Sequence, residues 1–218
     1  MTKVKICGNT NLQDVKLAQE FGADYIGFIF TKSKRYLRPE DAKKIMNELP
    51  KFENYVGVFA NQPKNEVLEV AHLLGLKWLQ FHGEETSRYC QSFMNENCKV
   101  IKSFHVKDQI SLKRIDEYNV SAFLFDTFSS SSKGGTGKTF NWRLVEDKPY
   151  VHEQLFLAGG LSVQNLKEAI DSVRPYAVDV ATGVESKPGI KDPDLLKEFI
   201  QIAKFGRAVI VSGQKKNG

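Results

Sequence analysis

Eight apolar segments recur along the chain at near-even spacing, and most are followed by a stretch of helical periodicity. This rhythm predicts an α/β fold, a single-domain (β/α)8 barrel of the TIM type. Strand-like runs begin near residues 4, 25, 55, 78, 100, 122, 155 and 176. The usual step is about 22 residues, within the ~200–250 that eight such units require. Only the loops after the second and sixth runs stretch it. No composition break marks a linker, so the expected domain is 1–218, with 212–218 a flexible tail. An open doubly wound sheet uses the same units, but even steps favour closure.

Each element has its own signature. Val4 to Cys7 is a short strand closed by Gly8, and Asn9 and Thr10 offer caps for a helix carrying Leu12, Val15, Ala18 and Phe21. Gly22 ends that helix. Tyr25 to Phe30 is almost wholly apolar, as a strand covered on both faces should be. A polar, basic loop from Thr31 to Arg38 leads to Pro39, in the first turn of a helix over Glu40–Asn47. Tyr55–Phe59 is the third strand, with a helix opened by Asn61-Gln62-Pro63 and stopped at Gly75. Trp78–Phe81 is the fourth, with a helix over Glu84–Asn95, and Val100–Phe104 the fifth, with a modest helix over Asp108–Tyr118. Phe123–Asp126 is the sixth, and a Ser/Gly loop hangs from it. Leu155–Ala158 is the seventh, with Ser162 capping a helix to Ile170; Tyr176–Val180 is the eighth, with Asp192 capping the last helix.

Composition narrows the function classes. A net charge of +5 with scattered lysines gives no nucleic-acid arm beyond the tail pair Lys215-Lys216. No apolar run approaches the ~18 residues of a membrane span. Cys7, Cys90 and Cys98 form neither CxxC nor a zinc spacing. An odd cysteine count without a signal peptide points to free thiols in the cytoplasm.

In barrels of this kind the chemistry lies at the carboxyl ends of the strands. Those positions hold Cys7, the loop residues Ser33 and Arg35, His82, Lys102 and Asp126, with Gly159-Gly160 and Thr182-Gly183 after the last two strands. Backbone N–H groups in such glycine turns bind phosphate; glycines also simply end strands tightly. Cys7 reads either as an inert core thiol or as a base whose thiolate is favoured by cationic neighbours. Asp126, at the end of an apolar run, is either a loop cap or a carboxyl whose poor solvation raises its pKa for proton donation. Lys102 is a candidate anion partner or a snorkelling lysine. His82 is a rim residue or a participant, and Arg35 could match a carboxylate with its planar fork. Cys90 and Cys98 read as structural.

The loop after the sixth strand, Lys133 to Thr139, looks at first like a nucleotide P-loop. That motif requires glycine at position 132, where this chain has Ser132, and a helix after Lys-Thr, where Phe140-Asn141-Trp142 follows.

Taken in order, several motifs carry a resemblance. They are Lys5-Ile6-Cys7-Gly8, Ser33-Lys34-Arg35, Gly57-Val58-Phe59, Gln80-Phe81-His82-Gly83, and Gly134-Gly135-Thr136-Gly137 with Phe140 and Trp142. They continue with Ala158-Gly159-Gly160-Leu161 and with Gly183-Val184-Glu185 before Pro188-Gly189-Ile190-Lys191-Asp192. The chain resembles phosphoribosylanthranilate isomerases of tryptophan biosynthesis, from Lys3 to about Ala203. It departs at Lys34, where the family has Pro, at Ala181-Thr182, where it has Ser-Ser, and at Asn141, where it has Asp. The resemblance implies an Amadori rearrangement with Asp126 as general acid and Cys7 as general base. It implies that Arg35 pairs with the anthranilate carboxylate and that His82 lies in the substrate site. Gly159, Gly160, Thr182 and Gly183 would hold the phosphate, and Gly135, Thr136 and Gly137 would close over the substrate. It implies no metal or redox cofactor, a monomer or homodimer, a small phosphosugar substrate, and neither nucleic acid nor membrane as partner. Two alternatives stand beside it: another phosphate-binding barrel enzyme, such as an indoleglycerol-phosphate synthase relative, and a non-catalytic barrel subunit. The synthase relies on strand-borne Lys and Glu, whereas Cys7 occupies the first strand tip here.

Overall fold

In the computed structural model, residues 1–105, 114–126 and 154–206 are described. The strands are β1 (Lys3–Ile6), β2 (Tyr25–Ile29), β3 (Tyr55–Phe59), β4 (Trp78–Phe81), β5 (Lys99–His105), β6 (Ala122–Asp126), β7 (Leu155–Ala158) and β8 (Ala177–Val180). Each pairs in parallel with its successor, and β8 returns to β1, closing the barrel. Every expected strand starts within a residue of its expected position.

The helices are α1 (Leu12–Glu20), α2 (Pro39–Asn47), α3 (Lys64–Leu74), α4 (Ser87–Met94), α5 (Leu166–Val173) and α6 (Pro193–Phe205). Capping explains most of their ends. Asp192 accepts hydrogen bonds from the N–H groups of Asp194 and Leu195 at 3.0 Å, as its sequence position suggests. The cap of α1 is Asn11, not Asn9 or Thr10: Asn11 accepts from the Asp14 N–H at 2.9 Å, while Asn9 is buried against Ile6 and Gly27 carbonyls. Ser162 does not cap α5; a turn from Ser162 to Asn165 delays the helix to Leu166. The helix over Glu84–Asn95 begins later, at Ser87, with Thr86 as its cap. The stretch 108–118 falls largely outside the described residues; its end is a 3-10 turn, Arg114–Glu117.

Side-chain alternation divides the molecule into two cores. Val4, Ile6, Leu79, Phe81, Phe123, Phe125, Leu155, Leu157, Val178 and Val180 face outward under the helices. Tyr25, Val56, Trp78, Ile101, Ala122, Leu124, Phe156 and Ala177 face inward. Tyr25 meets Trp78 and Phe156 edge-on, with ring centroids 5.4 and 5.1 Å apart. Apolar packing therefore fills the amino-terminal half of the barrel, while polar residues line the carboxyl half. A cavity can open only there.

One element was not among the expected strands. After β8 a 3-10 turn, Thr182–Val184, leads into a small antiparallel hairpin of β9 (Glu185–Lys187) and β10 (Ile190–Lys191). The Thr10 hydroxyl donates to the Gly189 carbonyl at its turn, tying the hairpin to the loop after β1.

Candidate active site

A cavity of about 650 Å³ opens at the carboxyl ends of the strands. Cys7, Arg35, His82, Asp126, Gly159, Gly160, Thr182 and Gly183 all line it, so the described sequence candidates converge. Gly135, Thr136 and Gly137 lie outside the described residues. A more open hollow of about 530 Å³ at the opposite end, between Met1, Arg174 and Gly206, gathers no comparable set of reactive groups.

Strand alternation explains the convergence. Lys5 and Cys7 follow the inward parity of β1, Gln80 and His82 that of β4, Ser103 and His105 that of β5, Asp126 that of β6 and Asp179 that of β8. Lys102 has the opposite parity and faces away from the cavity. Its ammonium is buried, donating to the Glu85 carboxylate at 3.1 Å and to the Phe81, Gly83 and Ser103 carbonyls. Glu85 also accepts from the N–H groups of Asn61 and Gly83. Lys102 is thus neither a rim anion partner nor a snorkelling lysine; it pins the loops after β3 and β4 from behind.

Around Cys7 the site is closed and charged. Its residue is only 6% exposed, and its carbonyl accepts from Lys191 Nζ at 2.6 Å. Lys5 Nζ donates to Asp179 Oδ1 at 2.8 Å, which follows from the register that sets Lys5 beside Asp179. Burial pushes the Cys7 thiol up; the Lys5 ammonium is the largest opposing influence, the Asp179 carboxylate adds to the rise, and Lys191 opposes it more weakly.

Arg35 lies at the same side. Its Nε and Nη2 donate to Glu185 at 2.7 and 2.6 Å, and Nη2 also donates to Thr182 Oγ1 at 2.9 Å. Among the described residues Nη1 makes no hydrogen bond. The Glu185 side chain is 2% exposed and also accepts from Lys191 at 3.1 Å. Burial alone would raise the Glu185 carboxyl, but Arg35 and Lys191 outweigh it and hold it below the ordinary glutamate value. Lys191 is depressed by burial, which Glu185 offsets only in part.

Around Asp126 the site is more open. Its side chain is 24% exposed, with His82 Nε2 at 3.7 Å and His105 Nδ1 at 3.9 Å. Gln80 Nε2 lies 3.1 Å from His82 Nδ1, and His82 Nε2 is the ring nitrogen that faces Asp126. The two imidazoles meet edge-on at 5.6 Å.

The turns after β7 and β8 touch. A methyl group on Gly183 would lie 1.9 Å from the Leu161 carbonyl oxygen, so only glycine allows this approach. Gly159 and Gly160 both adopt left-handed backbone, with φ 91° and 66°. This geometry can present N–H groups to an anion at the cavity wall.

Sequence reasoning missed Lys5, Gln80, Ser103, His105, Asp179, Glu185 and Lys191 as parts of the site. Inward parity would have found the first five. Glu185 and Lys191 depend on the hairpin, whose Pro188-Gly189 turn signal alone does not show that its two short strands fold over the cavity.

The family model for N-(5'-phosphoribosyl)anthranilate isomerase matches residues 4–202. The isomerase of Pelobacter propionicus is 44% identical over 209 residues, covering 95% of this chain and 98% of the relative. The crystal structure of the Thermotoga maritima isomerase has 45% identity and a TM-score of 0.83, covering 94% of this chain and 99% of that one. A related isomerase structure in complex with reduced 1-(o-carboxyphenylamino)-1-deoxyribulose 5-phosphate has 43% identity and a TM-score of 0.80, over 94% and 99% of the two chains. On a match that spans nearly the whole barrel, the chain belongs to the N-(5'-phosphoribosyl)anthranilate isomerase family.

Proposed function

We propose that the chain catalyses the Amadori rearrangement of N-(5-phosphoribosyl)anthranilate to 1-(2-carboxyphenylamino)-1-deoxyribulose 5-phosphate in tryptophan biosynthesis. The observation that carries the mechanism is the facing of Cys7, at the end of β1, and Asp126, at the end of β6, onto one cavity. Asp126 protonates the ribose ring oxygen as the ring C–O bond breaks, and the nitrogen lone pair forms the iminium. The Cys7 thiolate then takes the proton from the adjacent carbon, and that bonding pair becomes the carbon–carbon double bond of the enol-amine. Loss of the enol proton and protonation of the former anomeric carbon give the ketone. Atoms and charge balance without a cofactor.

The remaining residues bind and orient. Arg35, held by Glu185, offers Nη1 to the anthranilate carboxylate. The touching turns at Gly159-Gly160 and Thr182-Gly183 receive the phosphate. His82 turns Nε2 toward the Asp126 end of the substrate. The chain acts as one domain, as a monomer or homodimer, in the cytoplasm, where its three thiols stay reduced; sedimentation separates the two assemblies. No helix among the described residues is long and apolar enough to cross a membrane.

Loss of phosphoribosylanthranilate fluorescence with purified protein tests the activity. Cys7→Ser and Asp126→Asn should each lower kcat by about 10²–10⁴-fold while melting near the unaltered chain. Near-normal turnover in both would remove the acid–base assignment.

A further inference from the structure

Lys5 has no task in the rearrangement as derived, yet it is fully buried at the inner wall of the site. Desolvating an ammonium costs several kcal/mol, and an apolar side chain of similar size would avoid that cost. Its pairing with Asp179 at 2.8 Å offsets the cost but does not explain why an ion pair stands there. The position of Cys7 does. A methyl group built on Gly27 would lie 2.8 Å from Cys7 Sγ and 3.3 Å from Lys5 Nζ, so sulfur and ammonium both lie over the space that Gly27 leaves open. The ammonium and the sulfur therefore lie no more than about 6 Å apart, close enough for the positive charge to act on a thiolate.

We propose that Lys5 is the counter-ion of the Cys7 thiolate, a positioning residue held in place by Asp179 that lowers the cost of ionising the base in a buried site. This rests on the reading of Cys7 as the base. One ammonium faces two anions before proton transfer and one afterwards, so it is paired throughout the cycle. When the thiolate takes the substrate proton, the S–H bond forms and Lys5 relaxes onto Asp179 alone. The charged groups facing Cys7 are Lys5 on β1, Asp179 on β8, Lys191 on β10 and Arg35 in the loop after β2. Burial would depress Lys5, yet Asp179 and Cys7 together raise it, so it stays charged. Cys90 shows what burial does with less help: its thiol is pushed up to about 12, with Lys102 only a weaker opposing charge.

The test is a thiolate titration by ultraviolet absorbance, taken as the difference between each protein and the same protein carrying Cys7→Ser, alongside kcat against pH. In the unaltered chain Cys7 should titrate below Cys90, whose midpoint is read by the same difference with Cys90→Ser. In Lys5→Met the Cys7 midpoint should rise by about one unit or more. kcat at neutral pH should then fall by about 10-fold or more, its acid limb shifting equally and KM changing little. Should Lys5→Met fail to fold, Lys5→Met/Asp179→Asn removes both buried charges and should show the same shifts. Should neither fold, the unaltered midpoints decide, and a Cys7 midpoint at or above that of Cys90 overturns the proposal. An unshifted midpoint in a folded variant overturns it too. Full activity of Cys7→Ser would instead remove the base assignment, a failure that the titration keeps separate.

Discussion

The two ends of the cavity are built on opposite plans. Cys7 stands among buried ions supplied by β1, β8 and the β9–β10 hairpin, and its residue is almost sealed from solvent. Asp126 stands between two imidazoles at an open mouth, at distances too long for direct hydrogen bonds. The difference follows from the protons each group handles. A thiolate base abstracts from carbon, gains from the exclusion of competing water, and needs a fixed cation to exist in a buried place. A carboxyl donor acts on a ring oxygen and must recover its proton each turnover, for which partial exposure is suited.

The comparison can be broken most severely from behind the acid side. Lys102→Met would leave the Glu85 carboxylate buried and unpaired beneath the loop that carries His82. It should cost about 3–5 kcal/mol in denaturant unfolding. A loss below about 1 kcal/mol would show that the pair is not what holds this rim.

On the base side the expected loss is smaller in stability but sharper in activity. Gly27→Ala places a methyl 2.8 Å from Cys7 Sγ and 3.2 Å from the Cys7 Cα. Overpacking should cost about 1–3 kcal/mol, and displacement of the sulfur should lower kcat by about 10²-fold. The asymmetry between the two ends is lost if Gly27→Ala turns over normally.

A pH series sharpens the same side. The folded Glu185 carboxyl is depressed below its ordinary value, so its contribution to stability is present above the unfolded pKa of about 4.3 and fades as pH falls through the lower folded value. Glu185→Gln should therefore lower Tm most at neutral pH and least in acid. A gap independent of pH would mean that the carboxylate's charge is not the source.

The smallest effect belongs to the open mouth. His105 is 61% exposed and 3.9 Å from Asp126, so an ion pair there is worth ~0–1 kcal/mol. His105→Asn should change kcat by less than about fivefold, and a much larger loss in steady-state assays would promote it to a working residue.

Much of this site could be read in the chain. Cys7, His82 and Asp126 stood out because each ends or directly follows an apolar strand. The glycine pair Gly159-Gly160 and the single Gly183 marked the last two loops. Lys102 misled because it also sits late in a strand; its position alone could not tell inner from outer wall, whereas its parity with Val100 and Phe104 could. Lys5 was passed over for the opposite reason: a charge between Val4 and Ile6 reads as the solvated face of an alternating strand. In a barrel that face is the interior.

What the sequence determined by itself is the order and spacing of eight strands and most of the covering helices, because periodicity and end signals are local properties of the backbone. Only the tertiary structure decided who meets whom. Barrel closure set Lys5 against Asp179, 174 residues apart, and the short hairpin turning at Pro188-Gly189 carried Glu185 to Arg35 and Lys191 to Cys7. Those contacts depend on strand register and on the burial of charge, and both exist only once the barrel has closed.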